Sequence, residues 1–140
     1  MNAWLRFLIV VGVLSALPAP AVLAAECLKY EVVSLSGTLV RQTYAGPPDF
    51  ESMTKGDAPQ IIWILQLDAR LCVIDSNSTD PRVYNEREVQ LVSSAAQDLR
   101  YRELLGQRVI ATGKLRHGGA RDDKRLVLEA GELKRTGVLP

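Results

Sequence analysis

Ser94-Ala95-Ala96-Gln97-Asp98-Leu99-Arg100-Tyr101-Arg102-Glu103-Leu104-Leu105-Gly106 is the stretch of this chain that reads as a helix, and its place in the order of elements decides the fold. Ser94 with Gln97 three residues on has the form of a capping box, in which each side chain answers a backbone donor at a helix start. Residues 95 to 105 follow as helix, with Ala95, Leu99 and Leu104 near one stripe and Asp98, Arg100, Arg102 and Glu103 mostly outside. Gly106 suits the left-handed stop that ends many helices.

Working outward, the flanks alternate with a period of two, the mark of half-buried strands. Residues 108 to 116 form strand four, with Val109, Ala111, Gly113 and Leu115 inward, and residues 125 to 133 form strand five, with Leu126, Leu128 and Ala130 set against Val127 and Glu129. Upstream, residues 32 to 44 read as strand one, where Val33, Leu35, Gly37 and Leu39 alternate with polar or smaller partners. Residues 45 to 60 hold three prolines and two glycines and read as a long loop, which in a compact domain is usually functional. Strand two covers 61 to 68, with Ile61, Trp63, Leu65 and Leu67 on one face; Asp68-Ala69-Arg70 is a tight connection; strand three covers 71 to 75. A polar loop runs from 76 to about 87, and residues 88 to 92 are a further short strand.

Three strands, a helix and two more strands is the order of the OB-fold, so the fold class is mainly β: a small five-stranded, OB-fold-like barrel with one α-helix between strands three and four. An SH3-like barrel needs no helix there, and a sandwich needs more strands than the chain supplies. Gly37 and Gly113 fall inside strands one and four, where glycine permits the sharp coiling that closes a small barrel, or a bulge.

Residues 1 to 25 read as a cleavable export signal. Arg6 supplies the positive charge, residues 7 to 17 the apolar run, and Ala21-Val22-Leu23-Ala24-Ala25 the small residues at the cleavage site. A membrane anchor needs about 20 continuous apolar residues; this run is shorter and is broken by Pro18 and Pro20. A lipoprotein signal is excluded because Glu26 separates the small residues from Cys27. Residues 26 to 140 then make one domain, expected in the periplasm or outside the cell. Cys27 and Cys72 are its only cysteines, and an even count in an exported chain favours one disulfide over two free thiols or half a metal site. Charge is divided unevenly: residues 26 to 97 hold 6 basic and 10 acidic side chains, residues 98 to 140 the reverse. The overall excess of a nucleic-acid binder is absent.

Cys27-Leu28-Lys29-Tyr30-Glu31, Leu35-Ser36-Gly37-Thr38-Leu39, Gly46-Pro47-Pro48, Trp63-Ile64-Leu65, Leu71-Cys72-Val73, Gln90-Leu91-Val92 and the run from Leu105 through Gly113 together resemble the bacterial family known as domain of unknown function 4431. The resemblance covers nearly all of the chain after the signal and implies a small exported domain; it speaks to fold and compartment rather than to an activity. Members carry a histidine-rich stretch between the last two strands, whereas this chain has Arg116-His117-Gly118-Gly119-Ala120-Arg121-Asp122-Asp123-Lys124. A metal role therefore does not carry over, and His117 reads as a turn residue, since a transition-metal site needs three or four ligands.

Other constellations are thin. Asp75, Asn77, Thr79 and Glu86 occupy positions 1, 3, 5 and 12 of a calcium loop, but Asp80 stands where that loop needs glycine and no helix precedes it, so the 75 to 86 segment reads as a plain acidic loop. Asn77-Ser78-Thr79 spells a glycosylation acceptor. A Ser-His-Asp triad has one histidine to build from, and a nuclease would have to gather Asp68, Asp75, Arg70 and Arg108, which nothing in their spacing requires.

Binding is the leading expectation. The loops after strands one and four flank the ligand face of an OB-fold, here residues 45 to 60 and 117 to 124. The first brings Phe50 and Met53 near Tyr44, and the second brings Arg121, Lys124 and Arg125, so one rim is apolar and the other cationic. Trp63 alternates on an apolar face and reads as core before it reads as a stacking platform. Few aromatics and the export signal disfavour single-stranded nucleic acid as ligand. The expectation is a monomeric, non-enzymatic module of the cell envelope, without a cofactor, that recognises a protein or glycan. The alternative is a structural, inhibitor or immunity-type envelope protein acting through a strand edge, and a metal-dependent hydrolase ranks behind both.

Overall fold

A computed structural model describes residues 26–75 and 82–137, so residues 1 to 25, expected as an export signal, and Asn77, Ser78, Thr79 and Asp80 of the candidate calcium loop lie outside the described residues. Five strands, β1 (Val32–Ala45), β2 (Pro59–Asp75), β3 (Arg82–Val92), β4 (Arg108–His117) and β5 (Leu126–Arg135), form a closed barrel in the order β1-β2-β3-β5-β4. A helix, α1 (Ala95–Glu103), lies between β3 and β4. All neighbours are antiparallel except β3 and β5. This is the OB-type arrangement expected from the element order.

Closure depends on the length and coiling of β1. Its second half pairs β2 and its first half pairs β4, and Gly37 stands at the handover, opposite Leu67 on one side and Val109 on the other. A Cβ at Gly37 would sit 2.3 Å from the Gln66 carbonyl oxygen, and one at Gly113, where the β4–β5 register shifts, 2.2 Å from that of Glu129. Both glycines are needed for close backbone approach, and Gly113 also marks a bulge. Inside the barrel, Leu39, Leu65, Val73, Val89, Val109, Leu115, Leu126 and Leu128 are fully buried.

One boundary differs from the sequence reading. Residues 61 to 68 and 71 to 75 are not two strands joined by a turn; they are one strand, β2, whose register with β3 jumps from Gln66↔Glu88 to Leu71↔Glu86. Asp68-Ala69-Arg70 is therefore a bulge. A polar tripeptide looks like a turn in sequence, yet here the chain bends and continues. Residues 88 to 92 are the end of β3, which begins at Arg82, so the third strand of the barrel is not the one expected.

Helix α1 packs on the barrel by a different face from the expected one. Leu99 is 65% exposed, while Tyr101 is 2% exposed and meets Trp63 edge-on at 6.0 Å between ring centroids. Gln97, Asp98, Tyr101 and Leu104, at helical spacing, form the working stripe: the Gln97 amide donates to the Ala130 and Gly131 carbonyls at 3.2 and 3.3 Å, and the Trp63 indole donates to Asp98 at 3.0 Å. The Ser94 N–H donates to Gln97 Oε1 at 2.8 Å, as the capping box requires. Gly106 has φ 76° and donates its N–H to Leu39 O at 2.8 Å, so the helix stop is tied to β1.

The Cys27–Cys72 disulfide closes on β2, and Leu28 bridges Val73 beside it. With the cysteines 45 positions apart in sequence, the chain-entropy model gives the bond about 4 kcal/mol of stability. Such a bond belongs to an oxidising compartment. Among the described residues no helix is long and apolar enough to cross a membrane.

Candidate functional site

The two loops flanking the outer face of β1, β2 and β3 are built in different ways. In the first, the buried Asp57 carboxylate accepts the N–H groups of Asp49, Glu51 and Ser52 at 3.0, 2.8 and 2.7 Å. Those bonds, led by the one from Ser52, hold the carboxyl below the usual aspartate range. Ser52 also caps a single 3-10 turn, Met53–Lys55. The loop is thereby fixed from inside, and it presents Phe50, at φ 59° and 40% exposed, with Met53 half exposed nearby in sequence.

The second loop folds back onto the sheet. Gly118 N–H donates to Arg125 O at 2.8 Å and Gly119 N–H to Asp122 Oδ2 at 2.8 Å, while Arg116 clamps Asp122 at 2.8 Å and Glu129 at 3.1 Å. Burial pushes the Asp122 carboxyl up, but Arg116 and the Gly119 N–H outweigh it and the net shift is downward. The Asp123 N–H donates to Gln90 Oε1 at 2.9 Å, and Lys124 crosses to the Glu88 carboxylate with its ammonium 5.7 Å from the centre of the Tyr44 ring.

This loop meets an outward face of the sheet at Gln90 and Glu88. Ile62, Ile64, Gln90 and Val127 alternate with the core residues Trp63, Leu65, Leu91 and Leu128, so they point away from the barrel interior, yet all four are buried. Ile64 pairs with Gln90 and Gln90 with Val127 across three strands, giving an apolar floor with one amide in it. Beside the floor lie two clefts that share Arg87 and Glu88. One of about 380 Å³ is lined by Thr38, Gln66, Leu67 and Asp68, and one of about 330 Å³ by Arg70, Glu86, Asp123, Lys124 and Arg125.

The electrostatics centre on Glu88 and Lys124. The hydrogen bond from Lys124 holds the Glu88 carboxyl below the usual glutamate range against the opposing effect of burial, with Gln66 and Gln42 adding smaller contributions. Burial pulls the Lys124 pKa down, but its bonds to Glu88 and Tyr44 carry it above the ordinary lysine value. Asp123 moves the other way, raised chiefly by burial.

Of the residues expected at the site, Tyr44 and Lys124 meet directly, whereas Phe50 and Met53 belong to the separate first loop. Arg121 stands exposed on the second loop, and Arg125 reaches Glu86 at 3.5 Å. Glu88, Gln42 and Gln90 are not legible as site residues from composition; their outward parity, with Glu88 and Gln90 alternating with the core residues Val89 and Leu91 on β3 and Gln42 paired to Ile62 from β1, is the signal that marks them. His117 ends β4, stacks edge-on against Tyr84 at 5.3 Å and contacts its neighbour's carbonyl.

The residues considered for other chemistry do not gather as a set, although Asp68 and Arg108 meet. Glu86 pairs in register with Leu71, while Asp75 pairs with Arg82 at the far end of the hairpin. Asp68 is bound by Arg108 at 2.7 Å and Arg70 reaches the Asn85 carbonyl at 3.4 Å. Among the described residues no three of His, Cys, Asp or Glu gather as a metal site.

The barrel and its helix define an OB-type fold in which one outer face of the sheet meets the loop before β5. No family model matches the chain, and no curated protein matches it. Among solved structures the chain is similar to the protein prib from Ralstonia solanacearum, with 20% sequence identity and a TM-score of 0.37 over 76% of this chain and 98% of that one.

Proposed function

We propose that this chain is a non-enzymatic binding module of the bacterial cell envelope that recognises a protein or glycan through the loops at 45 to 60 and 117 to 124. The observation that carries the reading is Phe50. A loop anchored from within by Asp57 holds an aromatic side chain in the left-handed region, and 40% of it is left in solvent. A bulky residue in that region costs free energy that folding alone has no reason to retain, and such positions cluster where a surface does work. Arg121, exposed on the second loop, supplies a cation.

The test is affinity capture from envelope extract with the mature, oxidised protein beside a Phe50→Ala, Arg121→Ala double variant of equal stability. A species retained by the first and lost from the second supports the reading, and equal retention overturns it.

A second reading rests on β3. Its residues 82 to 88 pair with β2 alone, because β5 joins β3 at Gln90, Leu91 and Val92. An edge of that kind suits strand addition by a partner protein, and variants in β3 rather than in the loops would then lose capture.

A further inference from the structure

Lys124 is bound as a ligand would be. Its ammonium meets the Glu88 carboxylate and lies over the Tyr44 ring, 5.7 Å from the centroid, a distance at which the negative face of an aromatic attracts a cation. Each receiving group is itself oriented: the Tyr44 hydroxyl donates to Gln42 Oε1, and the Gln66 amide reaches Glu88 Oε1 at 3.4 Å. These four side chains come from β1, β2 and β3, whereas Lys124 arrives from the loop before β5.

We infer that Glu88, Tyr44, Gln42 and Gln66 form a binding site for a lysine side chain of a partner protein, which the chain's own Lys124 fills in the unbound state. The inference rests on the binding-module reading and names the partner's chemistry.

A carboxylate and an aromatic face, with amides holding each in place, select an organic ammonium. The apolar floor of Ile64 and Val127 beside them accommodates the methylene stem that such a group carries. The loop that delivers Lys124 is tied to β3 through side chains, Asp123 N–H to Gln90 and Lys124 to Glu88, and it begins at Gly118 and Gly119. Displacing it breaks no strand pairing, because the β4–β5 ladder starts at His117 and Leu126. An occupant in cis lowers the affinity for an outside ligand by the fraction of time the site is free.

The test titrates Nα-acetyl-lysine-N-methylamide into labelled protein and follows the Tyr44 ring and the Gln66 and Gln42 amides by NMR. Lys124→Ala should show saturable shifts, the unaltered protein the same shifts at about tenfold or more weaker affinity, and Lys124→Ala with Glu88→Gln none. In the unaltered protein, high probe concentration should also speed hydrogen exchange at residues 119 to 124, an arm that depends on no variant. A folded Lys124→Ala protein that gives no shifts, or affinity equal to that of the unaltered protein, overturns the inference. Glucosamine binding as tightly as the lysine probe overturns the assignment to a protein partner and points to an amine-bearing glycan. The two readings fail separately: capture unchanged by the Phe50 and Arg121 substitutions overturns the loop reading, while a silent Lys124→Ala titration overturns this one.

Discussion

The indole N–H of Trp63 donates to the carboxylate of Asp98 at 3.0 Å, which ties the first half of β2 to the first turn of α1 and fixes the rotation of the helix on the barrel. The bond is made to a charged acceptor beneath a nearly buried ring. Asp98→Ala is therefore expected to cost about 2 kcal/mol. Leu99→Ala, one residue on but pointing into solvent, should change stability by less than about 0.5 kcal/mol. Urea unfolding of the two variants checks the rotation of α1, because the face expected from sequence requires the opposite ranking.

Barrel closure makes an equally sharp contrast among glycines. A Cβ at Gly37 or Gly113 would sit 2.3 or 2.2 Å from a backbone carbonyl oxygen, whereas one at Gly131 would find its nearest neighbour at 3.7 Å. Backbone cannot move aside as a side chain tip can, so Gly37→Ala and Gly113→Ala should lose about 3 kcal/mol or more, and Gly131→Ala should stay within about 1 kcal/mol. Thermal unfolding distinguishes them.

How far the fold was legible follows from which residues alternate. β1, β4 and β5 each carry an unbroken inward run, such as Val109, Ala111, Gly113 and Leu115, and their positions were read correctly. β2 was cut in two because Asp68-Ala69-Arg70 has turn composition, and no local rule separates a polar bulge from a polar turn when the partner strand is unknown. The count of five strands survived because splitting β2 was offset by setting residues 88 to 92 apart from the first three strands. In α1 the leucines drew the stripe to Leu99, while the anchor is Tyr101, whose ring packs inward against Trp63. At the site, Tyr44 and Lys124 were visible as loop-flanking residues. Glu88 was not, since an outward acid on a strand looks like solvated surface until the loop carrying Lys124 folds onto it.

Acid should loosen the second loop before it unfolds the barrel. Glu88 and Asp122 both have folded pKa values below their ordinary 4.5 and 3.8. The unfolded chain thus takes up protons first, and the stability these groups contribute is fully present above about pH 5 and is lost as pH falls below about 4, through the depressed values. Lys124 works at the other end: its raised value means its contribution is present below the ordinary 10.5 and is lost as pH rises beyond it. Asp123, raised by burial, opposes the acids, so Asp123→Asn should stabilise the fold slightly at neutral pH. Hydrogen exchange at residues 119 to 124 across pH, with Glu88→Gln flattening the acid limb, measures this.

Reduction tests how much of the structure depends on the bond at the amino-terminal end. Cys27 is joined to Cys72, and beside it Leu28 N–H donates to Cys72 O at 2.9 Å and Ile74 N–H to Leu28 O at 2.8 Å. The Cys27→Ser, Cys72→Ser protein should lose about 4 kcal/mol, most of it through the freer unfolded chain. The barrel order does not use residues 27 to 31, so the circular dichroism of the folded variant should keep its β character. Loss of the sheet signal in a variant that stays compact would show that the segment is needed to form the barrel.

Phe50 separates stability from binding. At φ 59° a phenylalanine is strained by about 1 kcal/mol. Its backbone N–H donates to Gly46 O at 3.0 Å, and the Asp57 carboxylate accepts the backbone N–H groups of Asp49, Glu51 and Ser52, so neither anchor uses the ring. Asparagine tolerates the left-handed region, so Phe50→Asn should leave stability unchanged or raise it by up to about 1 kcal/mol. The same substitution removes the exposed ring and, on the binding reading proposed above, is expected to abolish retention in the envelope capture. If instead Phe50→Asn destabilises the protein by more than about 2 kcal/mol, a cost on the scale of losing a buried side chain, the ring packs for the fold and the loop has no reason of its own to face solvent.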